Sequence, residues 1–159
     1  LLNGERLKKY NNNLYKMIKA YVNFVFFLSA IVVIPSCNTT KPEPVKLNVD
    51  NCQHCKMTIA DLRFAAELIT NKGRVYKFDD LSCMVSYKKE NNLVDANFFV
   101  ADYHQSEKFV EVEKAFFVSG GKVLSPMNGN AAAFSAKENA EKFASEKGAS
   151  LTNWEQVNQ

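Results

Sequence analysis

Two kinds of apolar pattern divide this chain. Residues 21–34 form one nearly continuous apolar run, Tyr-Val-Asn-Phe-Val-Phe-Phe-Leu-Ser-Ala-Ile-Val-Val-Ile. From residue 64 onward, apolar positions come in short sets broken by Gly, Asn and Asp. Phe64 to Thr70 and Arg74 to Asp79 read as two strands. Asn71-Lys72-Gly73 between them is a hairpin signal, with Gly free to take positive φ. Leu81, Met84 and Val85 stand at i, i+3 and i+4, one face of a helix from Leu81 to about Glu90. Asp80 can cap that helix and Asn91-Asn92 can end it.

The second half repeats the plan. Asn97 to Tyr103 reads as a strand, and Lys114 to Val118 with Lys122 to Ser125 as a hairpin closed by Ser119-Gly120-Gly121. Phe134 to Lys147 carries the strongest helical pattern. Ser135 and Glu138 form a capping box, Ala136, Ala140, Phe143 and Ala144 share a face, and Gly148 is the stop. Ala149 to Trp154 reads as a short closing strand. Leu68 to Val75 aligns with Phe116 to Val123 at a spacing of 48. The expected fold class is therefore α+β, one small domain built from two strand–strand–helix (ββα) units.

The apolar run follows the basic stretch Lys16-Met17-Ile18-Lys19, the layout of a secretory signal, and is short for a permanent span. It ends in Ile34-Pro35-Ser36-Cys37, which reads as a lipobox with Cys37 as the lipidated residue. Residues 1–36 are expected to be a signal peptide, with 1–16 read as an over-extended frame before Met17. Residues 37–49 are expected to be a polar, Pro-containing tether, and 50–159 the domain. The expected location is a membrane surface facing the periplasm or another extracytoplasmic space.

Charge changes meaning at that boundary. The whole chain is +3, but five of its 20 basic and one of its 17 acidic residues precede Cys37, so the remainder has a net charge of −1. The charges are mixed, with no basic stripe, which argues against nucleic acid as a partner.

The chemistry concentrates in Cys52-Gln53-His54-Cys55-Lys56-Met57. Thiolate and thioether are soft ligands that suit Cu(I), and zinc rarely takes a thioether. Covalent haem needs His directly after the second Cys, where Lys56 stands. A redox pair, a plain disulfide, and a structural zinc site completed by Cys83 with His54 or His104 remain open. Met57 would share a side with Cys55 if the segment were extended. Met127, in the turn Ser125-Pro-Met-Asn-Gly129, is a further soft ligand candidate. Cys83 reads first as a small buried hydrophobe and His54 as solvent-facing, and both stay as additional candidates. With Cys37 lipidated, three cysteines remain, and an odd number does not close a disulfide framework.

An ordered set of segments resembles the NosL family, the nitrous-oxide-reductase accessory lipoproteins. The segments are Asn51 to Ile59, Phe64 to Glu67, Tyr76 to Val85, Ser125 to Gly129, Ala133-Phe134, Ala140 to Ala144, Gly148 and Trp154. The resemblance implies a membrane-anchored copper chaperone that binds Cu(I) and has no catalytic turnover. It implies delivery toward the copper centres of nitrous oxide reductase, with that enzyme and its ABC-type maturation machinery as partners. The implied fold is a pair of ββα units related to organomercurial lyase. The implied ligands are Cys52, Cys55, Met57 and Met127. Lys56, Ser125 and Asn128 stand where many members carry Gly. The rivals are an exported thiol–disulfide oxidoreductase using Cys52 and Cys55, and a zinc-stapled docking module.

Overall fold

A computed structural model describes residues 10–12, 14–23 and 40–159. Most of the apolar run, the lipobox and Cys37 lie outside the described residues. In the N-terminal unit, residues 14–23 are helical with exposed side chains. Among the described residues, no helix is long and apolar enough to cross a membrane.

The second unit, residues 37–159, holds two antiparallel sheets. Ala66–Thr70 (β1) pairs with Val75–Phe78 (β2) on one side and with Ala96–Asp102 (β3) on the other. Leu81–Glu90 (α1) connects β2 to β3, and Gln105–Glu111 (β4) adds an outer strand, giving the order β2-β1-β3-β4. The other sheet follows the same rule. Phe116–Ser119 (β5) is central, Ala131–Phe134 (β6) and Ser150–Thr152 (β7) flank it, and Lys137–Lys147 (α2) connects the flanking pair. Trp154–Val157 (α3) closes the chain. The repeated unit is thus strand–strand–helix–strand, one strand longer than the two ββα units read from the sequence.

Period-2 alternation in β5 and β6 explains how the second sheet is buried on both faces. Phe117, Ala131 and Ala133 face a core shared with Leu68, Phe78, Leu81, Met84 and Val100. Val118, Ala132 and Phe134 face the other way, onto Ala140, Phe143 and Ala144 of α2. Phe78, Phe117 and Phe134 are fully buried, and each such side chain contributes roughly 1.5–3 kcal/mol by leaving water. The two sheets meet where Tyr103 donates its N–H to the Ala133 carbonyl at 2.8 Å.

Three expected elements change. The hairpin partner of β5 is 131–134, not 122–125. Gly120, Gly121, Asn128 and Asn130 all take positive φ, which turns 120–130 into a loop. Helix α2 begins at Lys137 instead of Phe134, because Ala131 to Phe134 is drawn into the sheet by burial on both faces. The Ser135–Glu138 capping box does not form. Ser135 donates its N–H (2.9 Å) and its hydroxyl to Asp102 Oδ2, and Ala136 caps α2 without a side-chain bond. Gly148 ends α2 in the left-handed conformation, as expected.

Candidate metal centre

The cysteine segment is a closed turn. Ile59 donates to the Asp50 carbonyl at 2.9 Å, Cys52 to Met57 at 2.8 Å and Lys56 to Cys52 at 3.0 Å, with Asn51 and Thr58 bridged between them. Gln53 donates to the Lys77 carbonyl at 2.8 Å, which fastens the turn to β2. Asp79 Oδ1 accepts the Ala60 N–H at 3.0 Å and fixes the exit. Lys56 closes the turn with φ 66, a left-handed conformation that costs a non-glycine residue roughly 1 kcal/mol. This explains why glycine suits that position.

Across from the turn stands α1. Asp80 caps it by accepting the Ser82 N–H at 2.9 Å, which places Cys83 in the first turn of the helix. The sulfurs of Cys52, Cys55 and Cys83 lie within 4.8 Å of one another. All three are free thiols. Cys52 and Cys83 are buried and Cys55 is half-buried, so the cluster is an inner pair with one sulfur toward solvent.

The inner pair shares a proton unequally. A hydrogen bond from the Cys83 thiol, opposed by burial and helped by backbone bonds from Asp79, Cys55 and His54, draws Cys52 down to about 5. The same bond, with burial and the Cys52 charge, pushes Cys83 far up. Burial also raises Cys55. The close approach of the sulfurs thus favours the thiolate at Cys52 and the protonated thiol at Cys83 and Cys55. Thiolate is the ligand form, so entry of a soft cation releases protons from the cluster.

The remaining candidates are placed differently. Met57 is 49% exposed. The segment is a turn rather than an extended strand, so alternation does not set it beside Cys55. Met127 is partly buried against the core cluster that contains Cys52 and Cys83. Its N–H bonds Asp80 Oδ2 at 3.0 Å. His54 turns Nδ1 toward Glu90 at 3.4 Å, at the far end of α1. Cys83, read from the sequence first as a small buried hydrophobe and kept as an additional candidate, is buried and also joins the thiol cluster. Its signal was the unpaired third cysteine, placed three residues after a helix cap.

The sequence model of NosL matches residues 44–159. The chain belongs to the NosL family. The fold agrees with a crystal structure described as the copper chaperone NosL from Shewanella denitrificans, at a TM-score of 0.66 and 21% identity, covering 76% of this chain and 98% of that one. No curated protein matches the sequence. Within this NosL-family chain, the cysteine turn and the first turn of α1 supply a soft, three-sulfur site.

Proposed function

We propose that this NosL-family protein carries Cu(I), held to a membrane through Cys37 on the extracytoplasmic side. In this reading it passes copper toward the copper centres of nitrous oxide reductase, with the ABC-type maturation machinery of that enzyme as a further partner. Copper is cargo here, carried and released without a catalysed reaction. The observation that carries the copper reading is the Cys52–Cys55–Cys83 cluster, with all three sulfurs within 4.8 Å. Soft thiolates at that spacing suit a soft ion that accepts two or three ligands. Structural zinc would want a fourth. The crystal structure described as a copper chaperone supports the same reading. Met127 joins the thiols as a weaker thioether ligand, and half-buried Cys55 is where a partner reaches the ion.

Anaerobic titration of the protein against a chromogenic Cu(I) chelator, repeated with excess Zn(II), tests this. One Cu(I) per chain, retained against zinc, is expected. Displacement of stoichiometric Cu(I) by zinc contradicts it. The oxidoreductase reading draws on the depressed Cys52 thiol. However, Cys52 and Cys55 sit in a turn ahead of β1, and the helix start is occupied by Cys83 instead.

A further inference from the structure

The loop that carries Met127 is tied to the helix that carries Cys83 by a single buried residue. Asp80 is fully buried and uses every acceptor it has. Its carbonyl accepts the Cys83 N–H at 3.1 Å and its Oδ1 accepts the Ser82 N–H at 2.9 Å. Its Oδ2 accepts the Ser125 hydroxyl at 2.5 Å and the Met127 N–H at 3.0 Å. Ser125 Oγ in turn accepts the Asn130 N–H at 2.8 Å, closing the loop on itself. The loop also packs tightly against the carboxylate. A Cβ on Gly129 would lie 2.5 Å from Asp80 Oδ1 and 2.9 Å from Ser82 Cβ.

Capping a helix needs one of these oxygens. The second is spent on a loop 45 residues away. We infer that Asp80 is a positioning residue for metal binding, fixing the Met127 turn against the first turn of α1 so that the thioether is held beside the thiol cluster. The inference rests on the reading of Met127 as a copper ligand and names what places it. Without the Oδ2 contacts, Met127 sits on an exposed loop whose neighbours Leu124, Pro126 and Asn128 face solvent. The thiols alone would then hold the ion.

Asp80→Asn separates capping from positioning. Asn caps helices as well as Asp. Its single oxygen can keep the Ser82 N–H, but its NH2 then faces Ser125 and Met127, and the Met127 amide loses its acceptor. Ser125→Ala and Gly129→Ala disturb the same contact from the loop side and guard against a folding defect in Asp80→Asn. The probe is the full chain labelled at the ε-methyls of its four methionines, titrated with one equivalent of Cu(I). In the wild type the Met127 methyl resonance is expected to shift. In Asp80→Asn the shift collapses, the apo-protein Met127 amide exchanges at least about tenfold faster, and Cu(I) affinity falls about tenfold toward that of Met127→Leu. The loop variants move the same way. A wild-type Met127 shift that persists in all three variants with unchanged affinity overturns the role of Asp80 alone. A wild-type Met127 methyl that ignores Cu(I), with Met127→Leu binding like wild type, overturns the inference together with the placement of Met127 among the ligands.

Discussion

Cys52 and Cys83, 31 residues apart in the chain, bring their sulfurs within 4.8 Å of each other inside the core, and this closeness drives the acidities of the two thiols in opposite directions. Cys52 belongs to the N-terminal turn and Cys83 to the first turn of α1. The cluster is therefore divided between two elements, and neither supplies all three sulfurs alone.

Removing Cys83 should affect binding more than folding. Cys83→Ala leaves a small void in the core, worth about 1 kcal/mol of stability. It should weaken Cu(I) at least about tenfold, or about 1.4 kcal/mol. Chelator competition beside a thermal melt checks the pair of effects. Unchanged affinity would return Cys83 to a plain core residue.

Glu67 predicts a pH dependence away from the thiols. It lies fully buried in β1, accepting the Glu43 N–H at 2.9 Å on Oε2, with Oε1 unpartnered. Burial raises it from 4.5 to about 7, against the lowering effects of the Glu43 bond and of Lys77. A raised carboxyl favours the folded state while protonated. Its stabilising effect is full below pH 4.5 and is lost as pH rises through about 7. Glu67→Gln should flatten the fall in stability between those values, a difference of roughly 1–3 kcal/mol at pH 8. Urea midpoints from pH 4.5 to 8 measure it. Parallel wild-type and variant curves would refute the assignment.

Two neighbouring glycines should respond unequally. Gly121 has φ 58, and a Cβ there would lie 2.5 Å from the carbonyl oxygens of Lys147 and Gly148 at the end of α2. Gly120 has φ 81 and open space. Gly120→Ala should cost only its backbone strain, about 1 kcal/mol. Gly121→Ala should cost more than about 2 kcal/mol, since the opposing atoms are backbone. Equal melting temperatures for the two would contradict the loop geometry.

The proposed lipid anchor at Cys37 is tested by intact mass. The membrane form should carry acyl mass that Cys37→Ser lacks. An unmodified Cys37 in the membrane fraction would remove the lipid from the account.

These predictions mark where the sequence was legible. The β1–β2 turn, the face formed by Leu81, Met84 and Val85, the Asp80 cap and the Gly148 stop are local signals, and local geometry honours them. Phe134 misleads because it stands directly before a strong helical pattern, whereas here it ends a strand packed on both faces. Ser135 misleads because Asp102, 33 residues distant, takes its donors. Strand β4 shows no alternation, since Gln105, Glu107, Lys108 and Glu111 face solvent on a sheet edge. Cys52, Cys55 and Met57 are a visible motif. Its union with Cys83 depends on a turn folding back onto α1, and no spacing rule encodes that.

In the proposed holo-protein one Cu(I) sits among the sulfurs of Cys52, Cys55 and Cys83. Copper-edge X-ray absorption on the protein loaded with one Cu(I) tests this most directly. The expected result is an all-sulfur set of nearest neighbours that loses one sulfur in Cys83→Ser. A shell led by nitrogen or oxygen, or one unchanged in Cys83→Ser, would contradict it.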